Sequence, residues 1–350
     1  MSRSTPSGRR ASGSVTLSDV AKLAGVSPIT VSRVLNRPEL VTADTIGIVR
    51  DAIARTGYVP NLLAGGLASR RSRLVAAIFP TIANSMFAET MEALADRLGE
   101  AGYQVLLGLS GYPAAREDDL LEAILSRRPD GILLTGIIHS PGTRQRLLAA
   151  KVPVVEIWDF TPTPIDMLVG FSHEKAGAAV ADHLHAKGYR RFAMIEADDD
   201  RAALRRRGFL SASARRGVTG VPVITVPAPG LLRTGREAMA RLLERSPLDG
   251  FQRPDAVFCS SDALAQGVLA EVQSRGMDLP GDIAVMGFGD LDFAAHTFPA
   301  LSTVRIDRRA IGTLAADALL ARMDGLSGAG PSAGGGVIDI GFEVIERAST

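Results

Sequence analysis

The chain has 350 residues, of which 46% are hydrophobic, so it is long enough for two or three domains with sizeable cores. Its single cysteine excludes an internal disulfide framework and suits a reducing cytoplasm. The formal net charge of +1 hides an asymmetry, because residues 1–72 hold ten Lys and Arg against four Asp and Glu. A basic N-terminal region on an acidic body places any polyanion site in that region.

The first 14 residues are polar and basic. They lack the apolar core of a signal peptide and predict a disordered tail. No apolar run approaches the roughly 20 residues of a membrane span, so we expect a cytoplasmic protein without a membrane partner.

The segment Leu17–Asn36 predicts two short helices joined by a tight turn that contains a glycine. Ser27 can cap the second helix, and Pro28 fits its first turn, where no N–H is needed. The helix face with Ile29 and Arg33 is short, polar and cationic, as a helix that lies in the major groove of DNA requires. A solvated helical hairpin is the alternative interpretation of this segment.

A third helix is predicted between Thr42, which can cap it, and Gly57, which ends it. Three such helices can enclose a small core. Residues 58–73 follow with an X-Pro step, two glycines and three arginines, a composition that is typical of a linker.

From Leu74 onward, apolar strand-like runs alternate with amphipathic helical segments. Repeated βα units of this kind predict parallel sheets with helices on both faces. Ligands of such sheets bind at the carboxyl ends of the strands. These ends are predicted at Pro80–Phe87, Gly136–Ser140, Asp159, Glu196–Asp200, Ser260–Asp262 and Gly287–Asp290.

Enzyme and metal motifs are missing from the sequence. It contains no GxxxxGK[ST] phosphate loop and no HExxH zinc motif, so we expect neither an enzyme nor a cofactor. The five histidines do not have the spacing of metal ligands, and we expect no metal site.

Ordered motifs run through nearly the whole chain. They are VTLSDVAKLAGVSPITVSRVLN, GYVPN, MFAETMEALADRLGEAGY, RRPDGILLTG, PVVEIWD, VGFSHEKAGAAVADHLHAKGYRRFAMI, RRRGFLSA, DAVFCSSDALAQGVL, LPGDIAVMGFGD and PALSTVRID. With these motifs, residues 15–347 resemble the LacI/GalR family of bacterial transcription regulators. Within that family, MFAET, PVVEIWD and VGFSHE are most similar to gluconate-utilisation repressors.

The resemblance implies an α/β core of two doubly wound parallel-sheet subdomains, like a periplasmic binding protein, with an N-terminal all-α helix-turn-helix domain. The implied segments are a disordered basic tail (1–14), the helix-turn-helix domain (15–58), a hinge (59–73) and an effector-binding and dimerisation core (74–350). Within the core, one subdomain is expected at 74–171 plus 304–327 and the other at 172–303 plus 328–350. The chain would then cross between subdomains near Phe171, Thr303 and Ser327.

The resemblance also implies a homodimer, or alternatively a tetramer, on a pseudo-palindromic DNA operator. Pro28 and Ile29 match the two main base-reading positions, and Ile29 can offer only an apolar contact to a thymine methyl. Leu67 matches the leucine that the family inserts into the minor groove, where it bends DNA. Because Gly65 and Gly66 disfavour a helix, the hinge is expected to fold only on DNA. The implied DNA-binding residues are Ser27, Pro28, Ile29, Thr30, Ser32, Arg33, Asn36, Asn61, Ala64 and Leu67.

A small-molecule effector is implied in the cleft of the core. Arg205 matches the family's cleft arginine, whereas Gly289 stands where the family often has an aspartate that binds ligand hydroxyls. Loss of that carboxylate favours an anionic ligand beside Arg205, although Asp290 restores a charge close by. The implied effector-binding residues are Asn84, Phe87, Asp159, Arg205, Ser261, Asp262 and Asp290.

The function expected from these features is that of a repressor of sugar-acid (gluconate-type) catabolism, released from DNA by its effector. A neutral sugar, a sugar phosphate or a purine is the alternative effector within the family. A sugar-binding protein that binds no DNA is the alternative from another class.

Overall fold

The computed structural model describes residues 15–59, 71–82, 85–112, 114–244, 252–325 and 336–350. The predicted tail and most of the hinge lie outside these residues, and so do four of the predicted site residues: Asn61, Ala64, Leu67 and Asn84. The chain divides into two compact units, Met1–Ser72 and Arg73–Thr350.

Within its described residues, the first unit consists of three short α-helices with a 3-10 turn at Pro38–Leu40. The α-helices are α1 (Leu17–Ala24), α2 (Pro28–Asn36) and α3 (Ala43–Thr56). Small apolar side chains from all three make its core: Val20, Ala21, Val31, Val34, Val49 and Ala52. Because only one side of α2 contributes to this core, its other side is left for contacts outside the unit.

The ends of these helices follow the predicted local signals. Ser27 Oγ accepts a hydrogen bond from the Thr30 N–H at the start of α2. Gly25 and Gly57 have left-handed backbones and follow α1 and α3. Thr42 precedes α3 as predicted, but its side chain accepts no helix N–H, so the predicted capping bond is absent.

The second unit contains twelve strands and eight helices within its described residues. The strands are β1 (Leu74–Phe79), β2 (Gln104–Leu109), β3 (Gly131–Thr135), β4 (Val154–Ile157), β5 (Met167–Gly170), β6 (Phe192–Ala197), β7 (Val223–Val226), β8 (Ala256–Cys259), β9 (Ala284–Met286), β10 (Thr303–Arg305), β11 (Val337–Asp339) and β12 (Glu343–Ile345). The helices are α4 (Ala88–Glu100), α5 (Ala114–Leu125), α6 (Pro141–Ala150), α7 (His173–Ala186), α8 (Asp200–Arg215), α9 (Leu232–Leu243), α10 (Asp262–Ser274) and α11 (Arg308–Met323).

Two parallel sheets organise this unit into two lobes. The sheet of the first lobe has the strand order β11-β5-β4-β3-β1-β2, and that of the second lobe has the order β7-β6-β8-β9. Strand β10 pairs antiparallel with β12. Single bridges join Ser302, the residue before β10, to Met286 of the second sheet and Arg305 of β10 to Gly289. The predicted fold class is therefore present in both lobes.

Alternate residues of β1 enter different cores. Val75, Ala77 and Phe79 pack in one core with side chains of α4 and α11, whereas Ala76 and Ile78 pack in another with side chains of α5 and α6. All five are at most 2% exposed. Burial on both faces explains why such strands read as continuous apolar runs rather than alternating ones.

Three crossings connect the lobes. The first follows β5 at Phe171, and the second follows β10 and leads into α11, which packs beside α4 in the first lobe. The third does not follow α11 directly, because β11 pairs in parallel with β5 in the first lobe. The chain therefore crosses between Asp339 and Glu343.

This pairing corrects one predicted boundary. Residues 328–350 were expected to belong entirely to the second subdomain, with a crossing near Ser327. That expectation is wrong for Val337–Asp339, since these residues pair with residues 168–170 of β5 and complete the edge of the first sheet.

Candidate functional sites

One face of α2 points away from the core of the first unit. Val31 and Val34 are buried, whereas Ile29 keeps 64% of its surface exposed. Of the other predicted DNA-binding residues in this region, Ser27, Pro28, Arg33 and Asn36 are exposed, and Thr30 and Ser32 are half-buried. The structure thus places these seven residues at one end and one face of a single helix.

Hydrogen bonds within this face order its polar side chains. The Asn36 amide donates to the Ser32 carbonyl over 2.9 Å, and the hydroxyls of Ser27 and Thr30 lie 2.9 Å apart. Among the described residues Arg33 forms no salt bridge, so its guanidinium has no carboxylate to release before it meets a phosphate or a base.

The second unit has a cavity at the carboxyl ends of its strands. This inner cavity has a volume of about 30 Å³ and is lined by side chains of both lobes. Its lining comprises Met86, Phe87, Tyr112, Trp158, His173, Ala197, Asp199, Arg201, Arg205, Gly230, Ser260 and Ser261. Three of the predicted effector residues, Phe87, Arg205 and Ser261, therefore meet there.

Arg205 is a buried cation, only 5% exposed, and its Nε has no hydrogen-bond partner within the described segments. Burial lowers its pKa to about 10, so the guanidinium stays charged at neutral pH. It lies 4.2 Å from the centre of the Phe288 ring. Within the described part of the chain, no carboxylate lies within 4.0 Å of it. A buried charge without a paired anion is unfavourable and points to a ligand that supplies one.

His173 holds Arg205 from one side. Its Nδ1 lies 2.9 Å from Arg205 Nη1, and its Nε2 lies 2.8 Å from the Trp158 carbonyl oxygen. Burial and the charges of Arg205 and Arg201 keep the pKa of His173 well below its usual value of 6.5. The imidazole is therefore neutral.

Arg201 lies one helical turn before Arg205 in α8 and lines the same cavity. Its guanidinium is 5.3 Å from the centre of the Phe87 ring, and a Cβ built on Gly136 would be 3.7 Å from its Nη1. Phe87 and Gly136 belong to the first lobe, so Arg201 spans the cleft from the second lobe. Of the carboxylates that the structure describes, none is within 4.0 Å of this guanidinium.

Asp159 lies behind the cavity wall and is 2% exposed. Burial raises its pKa to about 6, against the opposing effects of the Phe160 N–H and of Arg201 and Arg205. Two backbone features place it: Trp158 has a left-handed backbone with φ 66°, and Gly170 leaves room where any Cβ would stand 1.9 Å from the Asp159 carbonyl oxygen.

Asp262 is not among the lining residues of the cleft. Its carboxylate accepts the Thr303 hydroxyl over 2.6 Å and the Leu291 N–H over 2.7 Å, and it is fully buried. Burial raises its pKa to about 6. The structure therefore gives this predicted ligand residue a role in joining α10 to the second crossing strand.

Asp290 likewise does not line the cleft. It accepts Arg305 Nε over 2.6 Å and Arg347 Nη2 over 2.7 Å. The carboxylate expected to replace the one missing at Gly289 is therefore paired with two arginines of other segments and is not part of the cavity lining. Gly289 itself has φ 129°, which side chains rarely adopt, and a Cβ there would stand 3.1 Å from Met86 Cε.

A larger outer cleft of about 520 Å³ adjoins the inner cavity, with Tyr112, Asp199 and Arg201 in both linings. Its wall is rich in hydroxyl and carboxylate groups: Ser110, Tyr112, Thr135, Ser140, Glu117, Asp198, Asp199 and Asp200. Hydroxyls and carboxylates are the groups that bind the hydroxyls of a polyol.

His139 lines this outer cleft with a side chain only 2% exposed. Its Nδ1 lies 2.8 Å from Glu117, and its Nε2 lies 3.4 Å from Glu156. Burial lowers the pKa of His139, but the hydrogen bond to Glu117 and the charges of both glutamates outweigh burial and raise the pKa to about 9.

Arg201 and His173 are among the residues of the inner cavity that sequence reasoning missed. Arg201 had a signal, since it precedes Arg205 by four residues and so shares its helix face. His173 had none from local pattern, because its partners lie 15 and 32 residues away.

No group of three or more His, Cys, Asp or Glu side chains within the described residues has an arrangement that could hold a metal ion. None of the described helices has the length and apolar character needed to cross a membrane.

Comparison with known proteins places these sites in a family. Residues 16–61 match the model of bacterial regulatory proteins of the lacI family, and residues 181–350 match the periplasmic binding protein-like domain. The HTH-type transcriptional regulator GntR of Pseudomonas aeruginosa is 40% identical over 344 residues, which is 97% of each chain.

Solved structures agree with these matches. A LacI-family transcriptional regulator from Silicibacter pomeroyi has a TM-score of 0.88 and 33% identity, covering 96% of this chain and 99% of that one. The lac repressor dimer bound to operator and an anti-inducer has a TM-score of 0.80 and 25% identity, covering 96% and 99%. The predicted family and fold class are confirmed, and the chain belongs to the LacI family of DNA-binding bacterial transcription regulators.

Proposed function

We propose that this regulator binds a sugar acid of the gluconate type in its cleft and is released from its operator by that ligand. The observation that carries the proposal is the pair Arg201 and Arg205. These two cations line one cavity, and no described carboxylate lies within 4.0 Å of either. A ligand carboxylate is the group that would complete them.

The position of the two arginines favours an acid over a neutral sugar. Arg205 is nearly inaccessible, and its Nε lacks a hydrogen-bond partner among the described residues. The contacts of its guanidinium with His173 and the Phe288 ring therefore offset only part of the desolvation cost of the cation. A neutral hydroxyl would satisfy the hydrogen bond but not the charge, whereas a carboxylate does both.

The rest of the ligand would extend into the outer cleft. Tyr112 and Arg201 stand where the two spaces adjoin, and hydroxyls of Ser110, Thr135 and Ser140 lie beyond them. An inner carboxylate followed by a chain of hydroxyls matches this order of groups, and an open-chain aldonic acid has that structure.

On the DNA side, we propose that two copies of the chain bind a pseudo-palindromic operator through the exposed face of α2. Ile29 would contact a thymine methyl, and Arg33 a guanine or a phosphate. In the hinge, Leu67 would enter the minor groove, with Asn61 and Ala64 beside it. The remaining contacts of α2 would position the helix on the backbone: Ser27, Pro28, Thr30, Ser32 and Asn36.

Release follows from linkage between the two sites. Operator binding favours one arrangement of the core, and a ligand that prefers another arrangement lowers operator affinity by its differential affinity for the two. The cleft is suited to this role because side chains of both lobes line it, so a ligand there acts on the lobes together.

Two open-chain ligands test the proposal as a matched pair. D-Gluconate and D-glucitol differ in that the carboxylate of the first is a CH₂OH group in the second. We expect calorimetry to show binding of gluconate and none of glucitol at the same concentration, and we expect gluconate to lower the affinity for operator DNA in fluorescence anisotropy.

A sugar phosphate, glucose and a purine base complete the panel. Tight binding of glucose or the purine, with no binding of gluconate or related acids, would overturn the sugar-acid assignment and leave the family assignment intact. If gluconate binds and raises the affinity for operator DNA, the proposed release is wrong, whereas the ligand assignment stands.

A further inference from the structure

His173 occupies a special place between the lobes. It is the first residue of α7, directly after the first crossing, and it is 1% exposed. Its ring lies edge-on to Phe171, with ring centres 4.6 Å apart, and 5.8 Å from the centre of Phe288. Because aromatic rings lie on two sides of the imidazole, its polar contacts are made through Nδ1 and Nε2.

The two hydrogen bonds of His173 define its tautomer. A carbonyl oxygen can only accept, so the proton shared with Trp158 must be on Nε2. A guanidinium can only donate, so Nδ1 must be the unprotonated nitrogen that accepts from Arg205. The neutral Nε2–H form satisfies both bonds, and neither the other tautomer nor the imidazolium does.

Trp158 is in turn anchored in the first lobe. Its indole N–H donates to Thr90 Oγ1 over 3.2 Å, and the Thr90 hydroxyl donates to the Arg308 carbonyl over 2.9 Å. His173 therefore joins an arginine of the second lobe to a strand end that α4 holds in the first lobe.

We propose that His173 is the residue that positions Arg205 for the effector carboxylate, and that it ties this arginine to the first lobe through Trp158. The inference rests on the proposed function of the cleft. This role of His173 explains how the long side chain of Arg205 is held in one orientation, since a neutral acceptor orients the guanidinium without neutralising its charge. A carboxylate in this place would pair with Arg205 and compete with the ligand.

Substitutions of His173 separate positioning from folding. His173→Leu removes both hydrogen bonds, and His173→Gln keeps one donor and one acceptor. We expect the leucine variant to bind gluconate about tenfold or more weakly, with the glutamine variant recovering most of the affinity. Operator affinity is measured without and with gluconate for both variants, so that a change in DNA binding is separated from a loss of ligand affinity.

Ser302→Ala is the matched control, since it also removes two hydrogen bonds of a buried side chain, with Thr350 Oγ1 and the Arg347 N–H, at a residue that lines neither cavity. It should lower the melting temperature as His173→Leu does and leave gluconate affinity near wild type. In the Arg205→Ala background, His173→Leu should cause no further loss of affinity. Equal losses from Ser302→Ala and His173→Leu, or additive losses with Arg205→Ala, would show a merely structural role.

A spectroscopic measurement is independent of the ligand. In protein with ¹⁵N-labelled histidine, the His173 signals, assigned by their absence in His173→Leu, should show a protonated Nε2 and an unprotonated Nδ1. A protonated Nδ1 would overturn the assignment even if gluconate binds. Failure of the wild type to bind any sugar acid would instead contradict the proposed function. The measured tautomer would then decide by itself whether His173 positions Arg205.

Discussion

The guanidinium of Arg201 lies 5.3 Å from the centre of the Phe87 ring, so that a cation of the second lobe rests on an aromatic ring of the first. Such cation–π contacts contribute about 0.5–2 kcal/mol, depending on their exposure to solvent. In the free protein the contact holds the two walls of the cleft together. A ligand carboxylate would bind the same guanidinium and so act on both lobes.

Arg201→Gln should therefore weaken gluconate binding by about 1.5–3 kcal/mol, the usual range for a hydrogen bond to a charged group. Isothermal titration calorimetry measures this directly. Arg201→Lys should recover part of the loss, because it keeps the charge but not the planar fork of donors.

The matched control for Arg201 is Arg207→Gln on the same helix. Arg207 pairs with Glu174 on an exposed surface and does not line either cavity. Its substitution should leave gluconate affinity unchanged. If Arg201→Gln also binds gluconate like the wild type, the two-arginine anion site is not the effector site.

Arg33→Ala should reduce specific operator affinity by about 1–3 kcal/mol if Arg33 reads a base, with little change in binding to unrelated DNA. Arg55→Ala is the control, since Arg55 is on α3 and pairs with Asp51 at the surface. Anisotropy titrations at two salt concentrations distinguish the roles. An equal loss on operator and unrelated DNA would make Arg33 a phosphate contact.

Asp262→Ala should destabilise the second unit by about 2–4 kcal/mol, because it leaves the Thr303 hydroxyl and the Leu291 N–H buried without an acceptor. Urea denaturation measures the change. Thr303→Val should cost less, since it removes one of these bonds and its donor together. If Asp262→Ala unfolds like the wild type but loses gluconate, the carboxylate is a ligand contact after all.

Stability should fall as the pH rises through 9 because of His139. Its pKa of about 9 in the folded protein exceeds the ordinary value of 6.5, so the folded state binds the proton more tightly and is favoured most below pH 6.5. The shift corresponds to about 3 kcal/mol, lost progressively between pH 6.5 and pH 9.

His139→Gln should flatten this part of the stability profile, measured by urea denaturation at several pH values. Glu117 and Glu156 are the carboxylates that face the imidazole, and Glu117→Gln should reduce the slope as well. A wild-type profile without a decline over this range would contradict the assignment of a charged His139.

Local chemistry allowed much of this protein to be predicted from its residues alone. The end of α1 at Gly25 and the start of α2 at Ser27 depend on neighbours within three or four residues. The buried strands were recognised from unbroken apolar runs. The exposed face of α2 follows from helical periodicity. Arg205 was found because its sequence context matches the family.

Long-range contacts decided the rest. The sequence indicated that Asp290 is a ligand residue. Its carboxylate instead forms ion pairs with Arg305 and Arg347, which are 15 and 57 positions away. His173 had no local signal, and it became a cleft residue only when the crossing brought it between Trp158 and Arg205. A carboxylate or an imidazole has the same sequence signature whether its partner is a ligand or another side chain. Its role is therefore determined by which segments the fold places within hydrogen-bond distance of it.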